Sequence, residues 1–368
     1  MSNSRRGPLA AALVAVVVGS IGLASTMNAG AEEVPEPTPI TESATATATA
    51  TPEAEATSDA PQEEPELSPP PTLPWGQVPT EIDTGADGAS SQQLSSGGLD
   101  AAAPDADGEP AGEEYAPKGS STRTGVLTSD STEIVPPKPP ATSPEAKALP
   151  ASSVLFMYNV GSQAAVTDGA YANFTISKPS LALTDFHSLA ELAVQSSNGN
   201  QVVEVGWTVD RLVNGDSDPH LFVYHWVNGV PTCYNGCGFV QYSANISPGD
   251  TLPQNATKRL GIQYYDGAWW IAYDTEWVGY FPGSIWSNNF TQSGMIQAFG
   301  EVAGVSLVSC TDMGNGLNGA SDSSSARIGS VSFINGPPVD LYVRSTNAHY
   351  DVAKLSGRTF RYGGDGAC

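Results

Sequence analysis

The chain has 368 residues with 39 Asp+Glu against 15 Lys+Arg, a formal net charge of -24, divided as 22 acidic and 6 basic residues up to residue 150 and 17 and 9 beyond it. A chain this acidic, with no basic patch, is excluded as a binder of nucleic acid or of an anionic membrane surface, because it lacks the cations that neutralise phosphate. All four cysteines, all four histidines and six of the seven tryptophans follow residue 150, so only that part is equipped to bury a core.

In chain order, Arg5 and Arg6 precede a largely apolar stretch from Leu9 to Ala24, and Ala29-Gly30-Ala31 supplies the small residues of a cleavage site. Residues 1–31 therefore read as an export signal, with the paired arginines loosely matching a twin-arginine route. The apolar run is marginal as an anchor against the roughly 20 residues a span needs, and no other stretch is long enough. A secreted, extracellular protein without stable membrane association is expected. Residues 32–150 contain Thr-Ala repeats, Pro69-Pro70-Pro71 and Pro136-Pro137-Lys138-Pro139-Pro140. Low hydrophobicity, negative charge and dense proline do not offset the entropy of folding, so this range reads as a disordered linker or a propeptide.

From Leu155 onward, short runs rich in Val, Ile, Tyr, Phe and Trp alternate with Gly, Asn, Asp and Pro. The pattern predicts strands over 170–177, 188–195, 201–209, 220–227, 260–265, 269–273, 278–282, 296–303 and 328–334. Asp266-Gly267 and Asn228-Gly229 mark tight turns. Many short strands and almost no helical periodicity argue one all-β domain over 151–368, a sandwich or a barrel. The four cysteines in an exported chain read as disulfides, for which 233–237 with 310–368 is the simplest connectivity. A zinc site using Cys233, Cys237 and His220 or His225 is a weaker reading of the same spacing. No metal or cofactor is expected.

After residue 150 there are four glutamates, Glu191, Glu204, Glu276 and Glu301. Two of them stand in glycine-bearing apolar runs, Val202-Val203-Glu204-Val205-Gly206-Trp207 and Phe299-Gly300-Glu301-Val302-Ala303-Gly304. A carboxylate in such a strand costs stability unless something compensates it. Period-two alternation puts Val203, Val205, Trp207 and Val209 toward the core and Glu204, Gly206 and Thr208 on the other face, with Gly206 leaving room for a ligand backbone. There is no G-x-S-x-G, H-E-x-x-H or P-loop. Two carboxyls whose environments push their proton affinities apart can instead hydrolyse a bond, one taking a proton from water and the other donating one to the leaving group. Gln241 is a candidate oxyanion donor, and Trp207, Trp269, Trp270 and Tyr280 are candidates for an aromatic floor, although by alternation Trp269 and Trp270 cannot both point inward.

These segments carry a resemblance. Val203-Glu204-Val205-Gly206-Trp207, His220-Leu221-Phe222-Val223-Tyr224, Cys233-Tyr234 with Cys237-Gly238-Phe239-Val240-Gln241, Trp269-Trp270, Val278-Gly279-Tyr280-Phe281-Pro282 and Phe299-Gly300-Glu301-Val302 resemble, in order, the neprosin family of glutamic peptidases. The resemblance implies an antiparallel β-sandwich with catalytic Glu204 and Glu301, acting without a cofactor on proline-containing peptides at acid pH. It departs from the family's Trp-Gly-Gly run at Ala298-Phe299-Gly300, and from the structured propeptide of plant members. The competing expectations are a carbohydrate-binding or glycan-hydrolysing sandwich and a non-catalytic binding domain. A monomer is assumed.

Overall fold

Alternation of apolar and polar side chains after residue 154 resolves into two antiparallel sheets laid face to face. The computed structural model describes residues 67–82, 89–95 and 154–368, together with the backbone of a short hairpin, β1 (Tyr115–Ala116) and β2 (Gly119–Ser120). The export signal, and the remainder of 32–150, lie outside the described residues.

The first sheet runs, in spatial order, β16 (Asp351–Lys354), β17 (Phe360–Gly363), β14 (Arg327–Ile334), β4 (Gly169–Ile176), β10 (Ala256–Tyr265), β11 (Ala268–Tyr273), β12 (Glu276–Pro282) and β9 (Val240–Gln241). The second runs β15 (Tyr342–Ser345), β3 (Leu155–Ala164), β13 (Met295–Gly304), β5 (His187–Gln195), β6 (Val202–Val209), β7 (His220–Val227) and β8 (Val230–Pro231). Helix is confined to α1 (Ser91–Ser95), α2 (Arg211–Asn214) and a 3-10 turn at Gly283–Trp286 among the described residues. This is the β-sandwich expected from the strand pattern. Both predicted turns form: Asp266 and Gly267 join β10 to β11, and Asn228 and Gly229 join β7 to β8, all four residues at positive φ.

Period two decides what lies between the sheets. Val203, Val205, Trp207 and Val209 of β6 meet Trp269, Ile271 and Tyr273 of β11 and Phe174 and Ile176 of β4 in one buried cluster. Burying each large side chain contributes on the order of 2 kcal/mol, so this layer supplies most of the cohesion. The expected cysteine pairs are bonded, Cys233 to Cys237 and Cys310 to Cys368. Strand β3 is absent from the predicted strands because Asn159, Gly161, Ser162 and Gln163 break its apolar run. Two of the amides are tied within the fold, Asn159 Nδ2 donating to the Asp351 carbonyl at 2.8 Å and Gln163 Nε2 to the Pro338 carbonyl at 2.9 Å, and a Cβ at position 161 would lie 2.7 Å from the Phe360 ring.

The outer face of the first sheet is covered by residues 67–82, which form a strap. Leu73 is buried against Trp270, Trp277 and Tyr280, and Trp75 stands edge-on to Tyr171 beneath the Arg259 guanidinium. Trp277 Nε1 donates to the Pro70 carbonyl at 3.1 Å, Thr80 N to the Thr275 carbonyl at 2.9 Å, and Ile82 N to Glu276 Oε1 at 2.6 Å. Over these residues the expectation of disorder is corrected. Proline fixes an extended backbone at little entropic cost, and the aromatic face of the sheet supplies the apolar area that the segment itself lacks.

Candidate active site

The other outer face, on the second sheet, holds the glutamates. Glu204 of β6 pairs with Ala193 of β5, and Glu301 of β13 pairs with Leu189 of the same strand. Ala193 and Leu189 are an even number of residues apart, so both carboxylates emerge on one face. A third glutamate lies between them: Glu191 of β5 is opposite Gly206 on one side and Phe299 on the other. Glu191 and Glu301 are 0 % exposed and Glu204 is 1 % exposed. Burying carboxyls this deeply is tolerated only with hydrogen-bond donors at hand.

The donors come from neighbouring strands. Trp226 Nε1 of β7 donates to Glu204 Oε1 at 2.9 Å, and His187 Nε2 lies 2.7 Å from Glu301 Oε1. Tyr158 of β3 is the register partner of Glu301. Burial, and then the negative charges of Glu301, Glu191 and Glu204, hold its phenol well above the ordinary tyrosine value. Strand register is what sets the three carboxylates on one face, and the raised phenol beside them stays protonated at neutral pH.

Behind His187 stands Asp210, at the end of β6. Its Oδ1 accepts from Leu212 N at 2.9 Å and Val213 N at 3.1 Å, capping α2, while its Oδ2 is 3.9 Å from His187 Nδ1. Burial raises the Asp210 carboxyl, opposed by His187, the two amides and Arg211. Tyr234 lies beside Asp210 and Glu191, its phenol raised by burial and then by the charge of Asp210. The result is a dry face of three glutamates, one Asp–His couple and a wall formed by Phe156, Tyr158, Phe222, Tyr224, Trp226, Tyr234 and Phe299.

Several residues singled out from sequence lie elsewhere. Trp207 is in the core between the sheets, and so is Trp269, whose indole donates to the Phe290 carbonyl at 2.8 Å. Tyr280 packs on Trp270 under the strap, on the opposite side of the molecule from the glutamates. Gln241 sits at the edge of the first sheet, its amide donating to the Ser243 and Ile246 carbonyls at 2.7 Å each. All four are corrected as members of the glutamate face. Trp207 is on the core side of β6, the reverse of Glu204, and the other three belong to the first sheet, whose outward aromatics Trp270 and Tyr280 face the strap. The space beside Gly206 is likewise filled from within, since a Cβ there would lie 2.3 Å from the Ala190 carbonyl and 2.7 Å from Glu191 Cβ. Cys233 and Cys237 are bonded to each other, while His220 is engaged by the Gly249 carbonyl and Asp216. Glu276 takes no part in the face; it accepts from Ile82 N, Asn245 Nδ2 and the Ser243 hydroxyl, and so ties the strap down.

Glu191, His187, Asp210, Tyr158 and Trp226 were not singled out from sequence. Glu191 was visible as a carboxylate inside the predicted strand 188–195, and Trp226 as the alternate of Tyr224 and Phe222 in 220–227. His187 and Asp210 are brought together only by the pairing of Ser188 with Val209, which no local pattern announces.

Comparison with known proteins gives one family: residues 184–365 match Neprosin. Among solved structures, a scytalido-glutamic peptidase bound to a peptide-based transition-state analogue is 10% identical, with a TM-score of 0.32, over 57% of this chain and 98% of that one. SCP-B, a member of the eqolisin family of peptidases in complex with the tripeptide Ala-Ile-His, is also 10% identical, with a TM-score of 0.34, over 57% and 98%. A carbohydrate-binding module, CBM66 from Bacillus subtilis, is 12% identical, with a TM-score of 0.25, over 41% and 79%.

Proposed function

As a member of the Neprosin family, the chain is a glutamic-type peptidase, and from that premise we propose that Glu204 and Glu301 are its general acid and general base, cleaving peptide bonds after proline at acid pH. The observation that carries the reading is that both carboxylates flank β5 on one buried sheet face. In the reaction one glutamate takes a proton from water as its oxygen bonds to the scissile carbonyl carbon. The other gives its proton to the leaving nitrogen as the C–N bond breaks, releasing an acid and an amine. An acid optimum follows, because raising the pH strips the donor of its proton.

The site of action is proposed to be extracellular. The apolar run behind Arg5 and Arg6 supports export, and two disulfides suit an oxidising compartment. No helix among the described residues is long and apolar enough to cross a membrane.

The test is cleavage of an internally quenched proline-containing peptide between about pH 3 and 7 by wild type, Glu204→Gln and Glu301→Gln. Glutamine keeps the shape and removes the proton chemistry, so both variants should lose activity by at least about a hundredfold. Release of reducing sugar from a polysaccharide without peptide cleavage would overturn the reading in favour of a glycan-active module.

A further inference from the structure

The strap meets the first sheet as a ligand meets a binding face. Of residues 67–82 only Pro70 and Leu73 are buried, and the sheet beneath is shaped to a proline-bearing backbone. Gly261 of β10 stands between its register partners Tyr171 of β4 and Ala272 of β11. A Cβ at position 261 would lie 3.0 Å from Pro74 Cγ and 3.2 Å from Trp75 Cζ3, so the missing side chain makes the hollow in which the Pro74 ring rests. Leu73 sits in a turn, its amide donating to the Gln77 carbonyl and its carbonyl accepting from Gly76 N, both at 2.8 Å, and packs among Trp270, Trp277 and Tyr280. The Trp277 indole donates to the Pro70 carbonyl. An aromatic floor with such donors is how extended proline-rich segments are held. The neighbouring indole differs: Trp270 is 0 % exposed, and its Nε1 has no acceptor among the described residues. A buried donor left unmet weakens the packing around it, so the strap fills this face without using all of it.

We propose that the outer face of the first sheet, on the side of the molecule away from the glutamates, is a binding site for a proline-rich segment of another polypeptide, and that the strap is the occupant the chain carries in its place. The ligand is extended, sets a proline ring over Gly261, and brings a backbone carbonyl to the Trp270 indole. Proline suits this role because it has no N–H of its own to leave unmet and its extended helix keeps every carbonyl free. Exchange of straps between two copies of the chain would only return the same contacts and leave Trp270 as it is. A foreign segment adds one, worth roughly tenfold in affinity. With two buried residues in sixteen, the strap belongs to the weakly held elements that open locally, and it acts as a built-in competitor that a foreign segment has to displace. Binding of this kind is separate from the chemistry of the glutamate face.

The experiment is fluorescence anisotropy on the full chain with a labelled synthetic peptide copying residues 67–78, beside the same peptide with its prolines replaced by alanine. Leu73→Ser loosens the strap and leaves the sheet intact, so it should bind the proline peptide at least about tenfold more tightly than wild type, in which the strap competes. The alanine peptide should bind at least about tenfold more weakly, and so should the proline peptide when Gly261→Val is added to fill the hollow. Unlabelled decaproline, a foreign segment, should displace the labelled copy from Leu73→Ser and lose about tenfold in potency when Trp270→Phe is added. If Leu73→Ser does not fold by near-UV circular dichroism, Trp75→Ser, which frees the strap from Tyr171 and Arg259, takes its place. A folded, strap-loosened chain that binds neither peptide, equal binding of the proline and alanine peptides, or failure of decaproline to compete would overturn the site. So would a wild type that is dimeric by light scattering and monomeric as Leu73→Ser, since the occupant would then be the strap of a second copy.

Discussion

His225 lies on the core side of β7, its ring centroid 4.6 Å from Phe281 and 5.6 Å from Trp286, with the Thr232 hydroxyl at Nδ1. Burial lowers its pKa to about 4. The unfolded chain, with an ordinary histidine near 6.5, binds a proton between those values while the folded one does not. Its stabilising effect is therefore complete above about pH 6.5 and is lost as pH falls toward about 4, a change of about 3 kcal/mol. Urea midpoints at several pH values should fall across that window in wild type and fall less in His225→Leu; equal slopes would contradict the account. With the acid optimum proposed above, the protein gives up part of its margin where its chemistry would be best. At this scale the sequence was half legible. Glu204 and Glu301 stood out because a carboxylate among valines needs a reason, whereas His187 and Asp210 each look ordinary and acquire meaning only through Glu301.

The elements divide the same way. Strand β6 and the hairpins at Asp266-Gly267 and Asn228-Gly229 follow from alternation and turn chemistry. Strand β3 and the short β15, β16 and β17 do not, because their residues are placed by contacts made far along the chain. The strap is the extreme case: its apolar anchors among the described residues are Leu67, Leu73, Trp75 and Ile82, too few for a core of its own. Its hold can be measured. Leu73→Ala should destabilise the domain by about 2 to 3 kcal/mol, since it opens a cavity over Trp270 and Trp277. Trp277→Phe, which removes the donor to the Pro70 carbonyl, should cost about 1 kcal/mol. Thermal melts indistinguishable from wild type would mean that the strap contributes little. Neither substitution touches the glutamate face, so activity per folded molecule should be unchanged.

Over the whole molecule, composition separated the acidic first part from the part with a core, but a sandwich and a barrel share the same strand pattern. The choice is made by long-range pairing, in which β3, near the start of the domain, lies beside β13, ten strands later in the chain. The disulfides act at this scale. Cys310–Cys368 closes a separation of 58 residues and Cys233–Cys237 one of 4. In the chain-entropy view, losing the long bridge costs about 4 kcal/mol and losing the short one about 2. Replacing Cys310 and Cys368 by serine should therefore lower the denaturation midpoint more than replacing Cys233 and Cys237; the reverse order would place the main effect in native packing. The strap has one more consequence. A single cut anywhere between Ser95 and Val154 would sever the chain without releasing the upstream piece, which is gripped by Trp270, Trp277 and Glu276. Such a nicked protein would migrate as one particle on a native column and as two fragments in denaturant, a heterodimer made from a single translation product.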